Sequence, residues 1–291
     1  MKRVIGIVAV VFVSALTLMS CSKEDGTLAE GKGRVNVHLT DAPFPIGMVS
    51  STEVTIDKVE IRQYAATDVE GQEGNFLLLA EGEMTFDLLE LTNGITEKIA
   101  TADLSAGRYD QIRLHVTSAK ITLTNGSVFD LKIPSGSASG LKINIEPTIE
   151  LSEGETADVL LDFDLTKSFV ATGQVGNTIK GFIFKPVIRG VVMGAAGRIE
   201  GKVTDAADAP VEHAMIKLFA WENGSVVWDV EKMVISSYTD LNGKFKLIGL
   251  PVGTYSIICE MEGFKNDTVQ NIAVTANHST TANVKLETAT E

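Results

Sequence analysis

Cysteine is nearly absent. The 291-residue chain has two, Cys21 and Cys259. Cys21 falls in the N-terminal signal described below, so Cys259 is left without a partner. No intrachain disulfide then holds the fold, and stability must come from packed cores. Cys259 alternates with Tyr255 and Ile257, which reads as a small buried hydrophobe rather than a nucleophile. Aromatic residues are also scarce, at 6% with two tryptophans. The four histidines, His38, His115, His213 and His278, form no His-Glu-x-x-His motif, and none stands beside a second ligand at zinc spacing. Walker and dinucleotide-binding loops are missing. Gly136-Ser137-Ala138-Ser139-Gly140 has Ala where a nucleophile elbow needs Ser. These absences argue against an enzyme and imply no cofactor beyond the calcium considered below. Positive charge is in deficit, with 25 Lys and Arg against 38 Asp and Glu, for a net charge of −13. A chain this acidic repels phosphate backbones, which excludes nucleic acid as a natural partner.

Long apolar runs are confined to the N-terminus. Basic Met1-Lys2-Arg3 precedes the apolar stretch Val4 to Met19. That stretch is shorter than the roughly 20 residues of a membrane span and reads as a secretory signal. Leu18-Met19-Ser20-Cys21 resembles the lipobox of bacterial lipoproteins, which implies acylation of Cys21 and anchoring in outer-membrane lipid. Ser22-Lys23-Glu24-Asp25 resembles the Lys-then-acids export signal of Bacteroidetes surface lipoproteins. That resemblance implies a lipid-anchored protein of the cell outer membrane facing the exterior. The same polar residues also suit a solvated tether. Removal of residues 1–20 leaves 23 basic against 38 acidic residues, a net charge of −15, in a chain long enough for two cores.

Period-two alternation dominates the rest. Val35, Val37 and Leu39 alternate with polar residues, as do Ile112, Leu114 and Val116. Val54 and Ile56 fall one residue out of step with Val59 and Ile61, so a bulge is expected near Asp57-Lys58. Asn125-Gly126 is expected to supply the positive φ angles of a two-residue hairpin turn. Further strands are expected over Leu141–Ile145, Val159–Leu165 and Gly181–Val192, with Lys142, Lys180 and Lys185 guarding sheet edges. Leu88 to Leu91, ending at Asn93-Gly94, reads as a short helical segment with a glycine cap. Met193 to Gly197 reads as a flexible linker. The expected fold is all-β, with two β-sandwich domains. The divisions are a lipoprotein signal peptide at 1–20, a lipidated flexible tether at 21–32, and sandwiches at 33–193 and 197–291.

Two family resemblances cover these sandwiches. Gly33-Arg34-Val35-Asn36-Val37-His38-Leu39-Thr40-Asp41-Ala42-Pro43, Phe86-Asp87-Leu88-Leu89-Glu90-Leu91 and Leu161-Asp162-Phe163-Asp164 resemble the bacterial lipoprotein domain DUF4382. The resemblance implies attachment to lipoproteins and regulatory-like modules, and no known activity. Arg198 to Asp205, Asn242-Gly243-Lys244-Phe245 and Leu250-Pro251-Val252-Gly253-Thr254-Tyr255 resemble the carboxypeptidase regulatory-like domain. This implies a prealbumin-like seven-stranded sandwich, similar in architecture to starch-binding-like folds.

Two groups of residues are candidate sites. Asp162 and Asp164 share one strand face, and Asp41 ends the first strand. If those strands are neighbours, the three carboxylates could converge on calcium, the alternative being solvent-facing and turn-capping aspartates. Trp221 and Trp228 flank an expected hairpin loop at Glu222-Asn223-Gly224-Ser225. As cross-strand neighbours they would form an aromatic platform for a sugar, the alternative being core packing. The sequence thus predicts a non-catalytic surface lipoprotein acting in binding or adhesion, with glycans or other envelope proteins as partners. A structural or pilus-related envelope subunit is the alternative.

Overall fold

Strand β1 (Lys32–Ala42) shows why the alternation matters: Val35, Val37 and Leu39 are all completely buried. Each such side chain contributes about 1.5–3 kcal/mol by leaving water. The computed structural model describes residues 28–42, 47, 49–64, 75–133, 139–173, 180–222 and 224–289. Cys21 and Ser22 to Asp25 lie outside the described residues. Among those described, no helix is long and apolar enough to cross a membrane.

Strand β2 (Val49–Gln63) contains the expected bulge. Its pairing register shifts between Ile56 and Lys58, so Val54, Ile56, Val59 and Ile61 are all fully buried despite their phase slip. The other strands of the first domain are β3 (Asn75–Asp87), β4 (Glu97–Ser105), β5 (Gly107–Leu123), β6 (Val128–Asp130), β7 (Leu141–Leu151), β8 (Thr156–Asp164), β9 (Phe169–Thr172), β10 (Gly181–Phe184) and β11 (Ile188–Val192). The main sheet runs β3-β2-β5-β7-β11-β8-β1-β4, with β6 beside β5. It curls until its edge strands β3 and β4 touch, enclosing one core. The contact covers part of two edges that form no ladder with each other. Lys142 pairs with Arg113 of β5, and the β11 ladder on the other side of β7 reaches only Ile145 and Glu146.

The second domain comprises β12 (Ala196–Thr204), β13 (Met215–Glu222), β14 (Ser225–Val226), β15 (Met233–Tyr238), β16 (Lys244–Pro251), β17 (Gly253–Glu260), β18 (Asp267–Val274), β19 (Ser279–Thr281) and β20 (Val284–Lys285). One sheet is β16-β12-β19, with β20 further along β12; the other is β14-β13-β17-β18, with β15 also on β13. Ile199, Phe245, Leu247, Ile257 and Cys259 meet in a second core. Burial pushes the Cys259 thiol up to about 12, so it stays protonated at neutral pH. Both domains use one local device. Tyr109 and Tyr255, each two residues after a glycine, donate their hydroxyls to the carbonyls four residues back, Ser105 and Pro251, at 2.8 Å.

Three local expectations change. The stretch Gly181–Val192 is two strands, because Pro186 has no N–H and restricts Lys185. Ser168 takes over there, accepting from Lys185 N at 2.8 Å through its carbonyl and from Val187 N at 2.9 Å through its hydroxyl. At Asn125-Gly126 only Gly126 has positive φ (83°), and Leu123 pairs with Ser127 across a three-residue loop. Met193 to Gly197 is not a free linker. Residues 193–195 form a 3-10 turn and β12 starts at Ala196, which is buried. A Cβ at Gly197 would lie 2.3 Å from the Thr275 carbonyl oxygen, so this glycine serves close packing rather than flexibility.

Candidate ligand site at the domain junction

The three aspartates are built on adjacent strands, as the calcium expectation required, since β1 pairs in parallel with β8. Register then separates them. Asp41 lies opposite Phe163 and Thr40 opposite Asp162, so Asp41 shares the core-facing side while Asp162 and Asp164 face the other way. Each outward acid already holds a base. Asp162 Oδ2 accepts from Arg189 at 2.6 Å, and Asp164 Oδ2 meets Lys167 Nζ at 3.0 Å. Asp164 Oδ1 also caps the helical turn Leu165–Ser168, accepting from Lys167 N at 3.1 Å. Burial pushes the Asp162 carboxyl up against the pull of Arg189. Among the described residues no three His, Cys, Asp or Glu side chains are grouped to hold a metal ion. The calcium triad of Asp41, Asp162 and Asp164 is thus corrected to one core-side acid and two bonded acids.

What the outward pair does is join the domains. Lys167 Nζ bridges from Asp164 to the Met233 carbonyl of β15 at 3.0 Å. Two residues before Asp162 on the same face of β8, Leu160 packs against Gly249 of β16, where an added Cβ would approach Leu160 Cδ2 to 2.8 Å. Arg189 lies close enough to Tyr255 for its charge to act on that phenol, whose ionisation burial opposes.

A second clasp comes from the loop after β3. Asp87 caps the 3-10 turn Leu88–Leu91, and Thr40 donates to the carbonyls of Leu91 and Ile95. This presents Asn93 and Gly94, at φ 58° and 78°, to the second domain. Asn93 Oδ1 accepts from Lys246 N at 2.6 Å, and its Nδ2 donates to the Lys244 carbonyl. The loop therefore continues the hydrogen bonding of β16 across the junction.

Asn93 divides two hollows. The larger, about 770 Å³, is lined from the first domain by Val49, Leu89, Thr92, Asn93 and Ile95. The second domain contributes His213, Tyr238, Thr239 and Asp240 to it. Ile95 is 56% exposed, so the apolar wall is open to solvent. Asp240 is partly spent on its own turn, accepting from Asn242 N and Lys244 N at 2.8 Å. The smaller hollow, about 480 Å³, is lined by Asn93, Glu200, Lys202, Lys244, Lys246 and Thr281, among others. Lys244 and Lys246 share a face by simple alternation. Their meeting with Lys202 needed the β12–β16 register, which single-sequence reading cannot supply.

The tryptophans do not pair as expected. Hairpin β13–β14 forms, but Trp221 lies opposite Val226. Trp228 follows the end of β14 and packs edge-to-face on Phe219, with ring centroids 5.1 Å apart. Trp228 remains 41% exposed and Trp221 is partly buried.

An all-β chain of two domains packed together through hydrogen bonds at Lys167 and Asn93 is the class this architecture defines. Residues 32–186 match the family model described as Domain of unknown function (DUF4382), and residues 198–287 match the carboxypeptidase regulatory-like domain. The first match spans more than half of the chain, which belongs to the DUF4382 family. No curated protein matches the chain. Among solved structures, 3-chlorocatechol 1,2-dioxygenase from Rhodococcus opacus 1CP is 14% identical over 33% of this chain and 60% of that one, with a TM-score of 0.24. Catechol 1,2-dioxygenase from Acinetobacter radioresistens is 17% identical over 33% and 53%, with a TM-score of 0.26. The dioxygenase domain of a dioxygenase carbohydrate-binding fusion from Streptomyces sp. SirexAA-E is 16% identical over 33% and 82%, with a TM-score of 0.25. The chain thus spans 53–60% of the first two structures, and such scores carry no argument about chemistry.

Proposed function

We propose that this chain is a non-catalytic, lipid-anchored binding protein of the outer cell surface, and that it holds a glycan in the cleft between its two domains. The cleft itself carries the reading. Its volume of about 770 Å³ lies within the range of small-ligand sites, which favour domain interfaces. Leu89, Ile95 and Tyr238 offer apolar surface to the C–H faces of a sugar ring, and Thr92, Asn93 and His213 offer polar rim groups to its hydroxyls. The acids on the junction face of β8 are held by bases and suit a mechanical role better than catalysis. The lipobox resemblance supplies the anchor at Cys21.

A glycan array probed with residues 22–291 tests the binding. Selective retention is expected, lost in Tyr238→Ala and kept in Trp228→Ala. Silence across the array, or retention unaffected by Tyr238→Ala, would end the cleft reading. The anchor is tested by fatty-acid labelling in cells, which Cys21→Ser is expected to abolish.

A further inference from the structure

We infer that the smaller hollow beside Asn93 is an anion site, and that the glycan taken at the junction is an acidic one, a short sugar chain bearing carboxylate or sulfate. This rests on the cleft reading above and adds the charge of the ligand to it.

The signal is an arrangement of lysines that the fold itself does not use. Lys202 on β12 stands directly opposite Lys244 on β16. Like charges directly opposite across a strand pair are destabilising. Lys246, two residues further along the same face of β16, joins them in lining the hollow. Among the described residues none of the three is in an ion pair, although acidic residues outnumber basic ones by 13 in the chain. Elsewhere in the molecule, by contrast, Lys167, Lys217 and Lys285 each hold a carboxylate at 3.0 Å or less.

The neighbouring acids do not cancel the cluster. Glu200 lies opposite Lys246 but makes no ion pair with it. The charge of Lys202 acts on Asp208, but Asp208 is bonded to Lys285 at 2.7 Å. Three ammonium groups against one carboxylate leave the hollow positive on an acidic protein.

The cluster is also positioned. Asn93 fixes the backbone at Lys246, and a Cβ on Gly94 would come within 2.8 Å of Lys246 Cδ, so the lysine stem lies along the clasp. Asn93 lines both hollows, and one ligand can therefore place its anionic group among the lysines and a neutral ring in the larger cleft. The acidity of the rest of the surface disfavours a long polyanion, so a short charged segment is the better match.

Calorimetric titration of residues 22–291 tests this with three probes: a short oligogalacturonate, a sulfated dextran oligosaccharide and an uncharged dextran oligosaccharide. At least one acidic probe is expected to bind more tightly than the uncharged one. Its affinity should fall about tenfold in the triple variant Lys202→Gln, Lys244→Gln, Lys246→Gln, the order expected from three partly exposed charges. The equal-charge triple Lys98→Gln, Lys120→Gln, Lys265→Gln should bind as the parent does. The melting temperature of the first triple should not fall, because a like-charge pair is removed; a collapse would mean that the lysines serve the fold.

Equal binding of all three probes, abolished by Tyr238→Ala, would overturn the anion site and leave the cleft reading standing. Equal losses in the two triples would reduce the effect to net charge and overturn it as well. Binding by none of the probes would overturn both readings.

Discussion

The outward face of β8 and the outward face of β12 and β16 both bring charge to the domain junction, yet only the first is balanced within itself. On β8, Asp162 holds Arg189 and Asp164 holds Lys167, and the second domain closes over them. On β12 and β16, Lys202 faces Lys244 with no ion pair. A buried charge must be compensated within the protein, because removing it from water costs several kcal/mol. A solvent-facing charge carries no such obligation and stays available for a partner. The first face is thus spent on joining the domains, whereas the second carries the anion site proposed above.

The sharpest way to break this comparison is to unbalance the balanced face. Arg189→Ala leaves Asp162, whose side chain is 5% exposed, without its cation. A loss of about 3 kcal/mol is expected, at the low end for a buried pair because Arg189 is partly exposed. Urea denaturation measures it, and Arg189→Met with Asp162→Leu should recover most of the loss. A negligible loss in Arg189→Ala would show that the pair does not hold the junction.

Asn93→Ala comes next in size. It removes the acceptor of Lys246 N, and about 1–2 kcal/mol should go with it. Small-angle scattering should also show a wider spread of interdomain distances. Unchanged stability and scattering would mean that the clasp is dispensable.

A third charged face, on β2 and β5, sharpens the contrast through pH. Burial raises the Glu60 carboxyl, but the hydrogen bond from His115 and the charges of Lys58, His115 and Arg113 outweigh it and hold the group below its ordinary 4.5. A carboxyl lowered in the folded state contributes stability above its unfolded value. That contribution is lost as pH falls through the lower folded value. Glu60→Gln should therefore lower the melting temperature at neutral pH, with the difference fading as pH falls below the ordinary 4.5. A difference that grew in acid would contradict the balance described for this face.

The smallest effect should have the opposite sign. Lys244→Gln relieves the pair with Lys202 and is expected to stabilise by about 0.2–1 kcal/mol. Destabilisation of that size in thermal melts would show that Lys244 has a structural partner after all.

The sequence made the strands legible because burial follows alternation. The phase slip between Ile56 and Val59 even located the β2 bulge. Legibility failed where register decided. Asp41, Asp162 and Asp164 were rightly placed on neighbouring strands, but a one-residue offset put Asp41 on the other side of the sheet. Trp221 and Trp228 were rightly placed around a hairpin, but Trp228 falls beyond the short β14 and finds Phe219. Met193 to Gly197 looked like a linker because small residues serve both flexibility and close approach, and only packing tells the two apart. The junction was hidden altogether. Asn93 read as part of a helix cap, and nothing in one chain announces that Asn93 would reach Lys246.

The most direct measurement is amide chemical-shift mapping of residues 22–291 during titration with whichever of the two acidic probes binds more tightly. Saturable shifts are expected at Asn93, Lys202, Lys244 and Lys246, with the hairpin between Trp221 and Trp228 unmoved. Shifts confined to that hairpin, or spread evenly over the surface without saturation, would contradict the junction as the binding site.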